Sequence, residues 1–190
     1  MKGLHHRIAR LGLGLGLALT IALGAALPTL ADTTTATATV SGGALSETTG
    51  ATPSITATLD GTDQTKTYTL PLTATDPTGT GAGWNLTITS TAFSTGGATP
   101  RTLATGASTI TTASSSCAQG TCTAPTNAIT YPLTVPAGAT APTAVKFFNA
   151  AANSGMGQFT VTPTVSVSLP ANTYAGTYTS TVTLAIVSAP

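Results

Sequence analysis

Apolar and polar residues alternate with a period of two along much of the chain beyond residue 53. In five stretches, large aliphatic or aromatic residues occupy nearly every second position, and mostly Thr or Ser stands between them. This alternation is typical of β-strands that bury one face, and no stretch beyond residue 31 shows a helical period. The five stretches cover residues 55–59, 68–74, 129–135, 159–169 and 178–186.

Glycine and proline clusters separate these stretches, and the pattern predicts an all-β fold, an antiparallel β-sandwich or open barrel of immunoglobulin-like size. Asp60-Gly61 predicts a hairpin turn, and residues 113–127 a long loop. Three prolines interrupt the alternation. Because proline cannot donate a ladder hydrogen bond, their strands are expected at sheet edges or at bulges. They are Pro71, Pro132 and Pro163.

The only tryptophan opens a further predicted strand. Trp84, Leu86 and Ile88 share one face of it, and polar residues fill the other face. A buried Trp removes roughly 150–250 Å² from water, so a core position is the expected one for Trp84. The alternative is an exposed ring on which a sugar stacks.

Residues 1–31 have the organisation of a secretory signal. A basic start precedes an uncharged apolar run over residues 11–27, and Ala31 supplies the small residue that cleavage requires. We expect cleavage after Ala31. An uncleaved anchor is the alternative, although the run is at the lower limit of length for a spanning helix. Residues 32–52 are rich in Thr and Ala and are predicted to be a flexible leader, ahead of a β-domain over residues 53–190.

Loss of the signal leaves a nearly uncharged protein. Three basic and five acidic side chains remain, a net charge of −2, and both histidines are lost. So few cations cannot neutralise a run of phosphates, so nucleic acid is not an expected partner. No basic patch remains to hold an anionic membrane, so no membrane association is expected after cleavage.

The exported part has little catalytic chemistry. Its many hydroxyls have no histidine to take their proton. Asp60 and Asp63 flank a glycine turn, and a solvated turn is expected there rather than an acid–base pair or a calcium site. We therefore expect no enzyme, no cofactor and no metal.

Cys117 and Cys122 are the only cysteines. In an exported protein they are expected to form a disulfide, here a small loop staple. Two thiolates without a histidine would leave the coordination shell of a zinc ion half empty.

Two segments resemble the signatures of the WxL surface-domain family. The first is residues 75–88, T-D-P-T-G-T-G-A-G-W-N-L-T-I, and the second is residues 165–186, with G-T-Y-T at 176–179. The family pattern ends in a second W-x-L, where this chain has Leu184-Ala185-Ile186 and so lacks the second tryptophan. The motif residues, with a role in packing or in binding, are Trp84, Leu86, Tyr178, Leu184 and Ile186.

The resemblance implies an exported, non-catalytic protein at the cell surface. Its expected partner is peptidoglycan or another cell-wall polymer, bound non-covalently, with other surface proteins as further partners. Two alternatives stay open. One is a structural subunit of a surface fibre or coat, assembled by strand addition with the leader as donor. The other is an adhesin or ice-binding surface made by rows of Thr.

Overall fold

The computed structural model of the chain describes residues 32–188, which form ten β-strands. The predicted signal segment, residues 1–31, lies outside the described residues. None of the residues in the described part is helical, and that part therefore contains no helix able to span a membrane. The strands are β1 (Ser46–Thr48), β2 (Gln64–Thr69), β3 (Leu72–Asp76), β4 (Trp84–Thr91), β5 (Ser108–Gln119), β6 (Leu133–Thr134), β7 (Ala137–Gly138), β8 (Val145–Ala150), β9 (Gly157–Leu169) and β10 (Val182–Ser188).

The first sheet is built around β9, its longest strand. β5 pairs with one edge of β9, and β2 and β3 pair in succession with the opposite edge, all antiparallel. β1 extends the sheet beyond β3, and β6 extends it beyond β5. In this register Ile110, Val165 and Tyr68 lie side by side, and Ala74 lies beside Phe159. Apolar side chains from neighbouring strands therefore form rows across one face.

The second sheet is built around β4. β10 pairs antiparallel with one edge of β4, while β8 (antiparallel) and β7 (parallel) pair with the other edge. The β4–β8 register shifts between Leu86 and Thr87, which places an extra residue, Phe147, in β8. Both Phe147 and Phe148 are buried.

One main apolar core joins the two sheets. Residues of β3, β5 and β9 contact residues of β4 and β8 in a single buried cluster, and Trp84, Phe147 and Phe159 are its largest fully buried side chains. A smaller cluster around Leu103 and Val167 lies towards the end of β9. The predicted all-β, sandwich-like architecture is confirmed, with a buried inner face and a largely polar outer face.

Two alternating stretches do not form the strands that their periodicity predicted. Residues 53–59 belong to no strand, and residues 129–135 contribute only the two-residue β6. Ile55 nevertheless packs onto the cluster around Leu103 and Val167. A period of two reports which side chains face the core. It does not report whether a neighbouring strand completes the ladder.

Residues 113–119 continue β5, although the sequence predicted a loop over residues 113–127. Their side chains are mostly exposed Ser and Ala, so they show no apolar alternation. Their backbone pairs with the central strand β9, for example Ser116 with Thr160. Backbone hydrogen bonds to β9 hold this extension in place, and such bonds cannot be predicted from the pattern of apolar residues.

Pro163 does not mark a sheet edge, because β9 has partners on both edges, but the β5–β9 register shifts beside it, between Ile110 and Thr112, as a bulge would require. The carbonyl oxygen of Pro163 accepts a hydrogen bond from the backbone N–H of Leu70 at 3.0 Å. Leu70 and Pro71 separate β2 from β3, so Pro163 faces a gap in the ladder on that side. A missing donor costs little there, since no regular strand pairing is interrupted.

β1 lies within residues 32–52, which the sequence predicted as a leader. Its residues pair with residues 73–75 of β3, and Leu45 packs against the main core. The backbone N–H of Gly43 donates to the carbonyl oxygen of Pro77 at 2.9 Å. The sheet therefore begins before residue 53, while residues 32–41 are exposed.

Cys117 and Cys122 form the predicted disulfide, with their Cα atoms 5.8 Å apart. Cys117 lies in β5 opposite Phe159, and Cys122 lies against Gly157, where a Cβ atom would meet the Cys122 sulfur at 3.2 Å. The bridge therefore fastens the turn after β5 beside the first residue of β9.

Loss of the disulfide is expected to lower stability modestly. Replacing both Cys117 and Cys122 by Ser opens a ring whose ends are five residues apart, and chain entropy assigns about 2 kcal/mol to a ring of this size. Denaturant unfolding should show a loss of that size with an unchanged circular-dichroism spectrum. The reduced wild-type protein is the control and should behave like the variant. A variant that does not fold would contradict this account.

Candidate functional site

Trp84 is fully enclosed at the start of β4, with 0 % of its surface exposed. Its ring stacks on Phe148 with the ring centroids 6.0 Å apart and an interplanar angle of 29°. Its indole N–H donates to the carbonyl oxygen of Gly155 at 2.9 Å. The only polar group of the ring is therefore satisfied inside the core, as a buried Trp requires.

Gly155 makes this enclosure possible. A Cβ atom at Gly155 would lie 2.3 Å from the Cβ of Ala150 and 2.8 Å from the indole nitrogen of Trp84, and the φ of Gly155 is +72°. Any side chain at this position would both strain the backbone and displace the ring. The glycine and the tryptophan, 71 residues apart, therefore form one packing unit.

The two signature segments are neighbours in the second sheet. β4 and β10 pair in register, so that Leu86 lies beside Ile186 and Ile88 lies beside Leu184. Leu86 and Ile88 are buried, whereas Leu184 and Ile186 are only half-buried. The difference arises because β4 has partners on both edges and β10 is an edge strand. Motif residues separated by about a hundred positions in the chain therefore form one surface inside the sandwich.

Tyr178, the fifth motif residue, lies outside the strands. It is half-buried, packs beside the smaller cluster, and its hydroxyl donates to the carbonyl oxygen of Tyr174 at 2.9 Å. Tyr178 and Leu184 line the same concave surface on the open side of the sandwich. We call this surface the open-side groove.

The open-side groove has two adjoining parts, with volumes of about 570 and 490 Å³. Residues 49–59 form one wall and residues 173–184 form the other. The groove as a whole could not be predicted from the sequence, because its lining comes from six separate segments. The one local feature of the sequence that points to the groove is Tyr174, a large aromatic residue outside any alternating stretch. Its side chain is 57 % exposed. The large side chains that line the groove are Ile55, Leu59, Tyr68, Leu70, Phe93, Leu103, Val167, Leu169, Tyr174, Tyr178, Val182 and Leu184.

The lining of the groove carries no charged side chain. At its rim, the guanidinium of Arg101 lies 3.8 Å from the centre of the Tyr174 ring. Such a cation–π contact covers one face of the ring. A neutral ligand with apolar parts therefore matches the groove better than a charged one.

Three acidic side chains, those of Asp60, Asp63 and Asp76, accept hydrogen bonds from the protein itself. Hydrogen bonds from the side chain and then the backbone of Thr62 lower the pKa of Asp60, which is exposed. Asp63 accepts a hydrogen bond from the backbone N–H of Ala171 at 2.8 Å. Asp76 accepts hydrogen bonds from the backbone and hydroxyl of Thr78. Over residues 32–188, no three His, Cys, Asp or Glu residues are grouped so as to hold a metal ion.

Comparison with known families identifies this arrangement. A family model described as "WxL domain surface cell wall-binding" matches residues 32–190. The match confirms the resemblance seen in the two signature segments, and with it the expected location at the cell surface and in the cell wall. No curated protein and no solved structure shows a significant match to the chain.

Truncation of Trp84 is expected to be strongly destabilising. Trp84→Ala leaves a cavity in the main core and should cost about 3–5 kcal/mol in the free energy of unfolding. Trp84→Phe keeps an aromatic ring but leaves the Gly155 carbonyl without its donor, and should cost less, about 1–3 kcal/mol. Denaturant unfolding of both variants measures this.

The matched control is Val187→Ala in β10, because Val187 is 45 % exposed. It should change stability by no more than about 0.5 kcal/mol. Equal effects of the Trp84 and Val187 substitutions would contradict a packing role for the tryptophan.

Alkaline pH is expected to weaken the fold through buried tyrosines. Burial raises the pKa of Tyr68, and burial also raises the pKa of Tyr131, against a smaller lowering by its hydrogen bond with Asn127. The unfolded chain therefore loses these protons first. Stability is complete below the unfolded pKa of about 10 and falls as the pH rises through the folded values. Unfolding measured across this range should show the fall, and Tyr68→Phe should reduce it. An unchanged slope in that variant would contradict the assignment.

Proposed function

The chain belongs to the WxL family of surface, cell wall-binding domains, and we propose on that premise that it attaches non-covalently to peptidoglycan and catalyses no reaction. The family match over residues 32–190 is the observation that carries the proposal. The structure supports it by joining both signature segments in one sheet, β4 beside β10.

The polymer meets the outside of the sandwich in this proposal. Trp84, Leu86 and Ile88 are buried and build the core, so they are not free to stack on a sugar. The outer faces of the strands carry exposed hydroxyls, as at Thr65 and Thr67 of β2. Hydroxyl and backbone groups can exchange hydrogen bonds with the hydroxyl and acetamido groups of a wall glycan.

Attachment of this kind depends little on charge. The exported chain keeps three basic residues, and two of them, Arg101 and Lys146, are exposed on separate segments. Hydrogen bonds and apolar contacts are screened by salt far less than pairs of exposed charges are. The proposal therefore includes retention on the wall at high ionic strength.

A non-catalytic role is supported by the state of the acidic groups. Asp60 and Asp76 hold the turns that follow them, and Asp63 holds the segment after β9. A general acid or base needs a position from which it reaches a substrate in a cleft. The three carboxylates are absent from the lining of the open-side groove.

A structural subunit that assembles by strand addition is a second candidate. The open-side groove favours it, because residues 52–59, part of the wall formed by residues 49–59, belong to no strand and alternate from Ile55 onward. An added strand would complete a ladder there, which is a common mode of peptide recognition.

Sedimentation with purified sacculi tests the wall proposal. The exported chain, residues 32–190, should sediment with sacculi, stay bound as salt is raised to about 1 M, and stay bound when other wall polymers have been extracted. Muramidase digestion should release it, and a denaturant should elute it with unchanged mass. Incubation should release no sugar or peptide from the wall.

An unrelated exported β-protein of similar size serves as the control for trapping. Protein that stays in the supernatant at every salt concentration would reject attachment. Binding that disappears when the other wall polymers are extracted would reject peptidoglycan as the ligand. Wall turnover that is lost in Asp60→Ala or Asp63→Ala would reject the non-catalytic role.

A further inference from the structure

We propose that the open-side groove is a sugar-binding site, in which a neutral N-acetylhexosamine unit of the wall glycan stacks on the ring of Tyr174. The sugar site rests on the wall attachment proposed above and gives that attachment a location. An exposed aromatic ring, an uncharged lining and polar groups without partners support it.

Tyr174 carries the only exposed aromatic ring among residues 32–188. Tyr174 and Leu59 are two of the four large apolar side chains that are exposed in this part of the chain, and both line the groove. Exposed apolar side chains that gather in one concave surface mark binding sites, whereas those that are scattered singly do not. The stacking role considered for Trp84 therefore falls to Tyr174.

The ring of Tyr174 is held in place before any ligand binds. The guanidinium of Arg101 lies 3.8 Å from the ring centre, and Arg101 is not among the residues that line the groove. The backbone at Tyr174 is also fixed, because the hydroxyl of Tyr178 donates to its carbonyl oxygen at 2.9 Å. A ring that is already ordered loses little rotamer freedom when a ligand covers it.

A hexose ring matches an aromatic face of this kind. The C–H groups on one side of a β-linked hexose form an apolar surface with a weak positive charge, and the π face of tyrosine is negative. The hydroxyl groups of the sugar lie at its edge, where they remain free to form hydrogen bonds. Stacking on Tyr174 therefore buries the apolar side of the sugar and leaves its polar edge to the groove walls.

Polar groups without partners surround Tyr174. Four threonines line the groove, and none of their hydroxyls takes part in a hydrogen bond within residues 32–188. No backbone hydrogen bond joins residues 52–59, part of one wall, to another segment of the described chain. An acetamido group both donates and accepts, so it finds partners on this wall. The threonines are Thr56, Thr58, Thr173 and Thr177.

The lining favours a sugar over an ion or an acyl chain. No charged side chain lines the groove to pair with an ion. An acyl chain would remove the threonine hydroxyls and the unpaired backbone groups from water without hydrogen bonds, which costs free energy. The two parts of the groove, about 570 and 490 Å³, are within the range of about 300–1,000 Å³ that is typical of ligand sites.

Titration calorimetry with the uncharged tetramer of β-1,4-linked N-acetylglucosamine tests the site. The exported chain, residues 32–190, should bind the tetramer. Tyr174→Ala should weaken binding at least about tenfold, because the stacking surface is lost. Tyr174→Phe keeps the ring and should bind within about twofold of the wild type. Denaturant unfolding should show that both variants fold, since Tyr174 is exposed and its contact with Tyr178 uses the backbone carbonyl.

Val187→Ala is the matched control, because Val187 is also an exposed apolar residue but does not line the groove. It should bind the tetramer as the wild type does. In NMR spectra, the tetramer should shift the signals of residues 54–59 and 173–178 and leave those of Thr65 and Thr67 on β2 unchanged. A tetramer of glucose lacks the acetamido groups and should bind more weakly, because the wall of residues 52–59 loses a partner.

The sugar site would be overturned if the tetramer did not bind, if Tyr174→Ala bound it as tightly as the wild type, or if the shifted signals lay outside the groove. An uncharged peptide of alternating Thr and Val that shifts residues 52–59, where the tetramer does not, would overturn it in favour of strand addition.

Sedimentation with sacculi separates the sugar site from wall attachment. Tyr174→Ala should sediment less than the wild type and Val187→Ala should sediment equally. Equal sedimentation of the wild type and Tyr174→Ala would reject the groove as the place of attachment and leave the attachment itself standing. A wild-type chain that stays in the supernatant would reject the attachment, whatever the result with the tetramer.

Discussion

The enclosure of one indole ring organises this molecule. Trp84 begins the central strand of the second sheet, stacks on Phe148 and donates its N–H to the Gly155 carbonyl. A buried indole needs both a hydrogen-bond acceptor and a close-fitting wall. The carbonyl oxygen of Gly155 is the acceptor, and the absence of a side chain at Gly155 leaves room for the ring. Once the ring is fixed there, Leu86 and Ile88 follow it into the core on the same face of β4, and β10 pairs beside them. The residues of the first W-x-L signature, Trp84 and Leu86, therefore pack in the core of the sandwich.

The sandwich is closed at the end that holds Trp84 and open on the side that holds Leu184. At the Trp84 end, the loop carrying the disulfide pairs with the loop before β9, through the backbone hydrogen bonds of Thr123 with Met156 and Gly155. On the side of Leu184, by contrast, residues 49–59 and 173–184 leave a groove with an apolar floor. A leucine in place of the family's second tryptophan fills less volume at that edge. Backbone hydrogen bonds therefore close the end at Trp84, whereas the open-side groove leaves apolar side chains accessible to solvent.

Scarcity of charge connects fold and function. Because so few side chains are ionised, the outer surface relies on threonine hydroxyls for hydration, and neither wall attachment nor sugar binding in the groove can rely on long-range attraction. Both therefore use short-range hydrogen bonds and apolar contacts. A protein that meets a repeating polymer through several such contacts would gain avidity from many weak interactions.

The sequence by itself determined the class of fold, the strand that begins at Trp84, the disulfide and the family, because side-chain period, cysteine count and local signatures are properties of short segments. It could not determine which alternating segments find a partner. Residues 53–59 alternate but pair with nothing, residues 113–119 do not alternate but pair with β9, and Pro163 sits in a central strand opposite a gap. The pairing of Leu86 with Ile186, the glycine that admits the indole and the groove between residues 49–59 and 173–184 were decided only by the tertiary structure. Each of them joins segments that are far apart in the chain, and backbone hydrogen bonds between such segments leave no trace in the local pattern of either one.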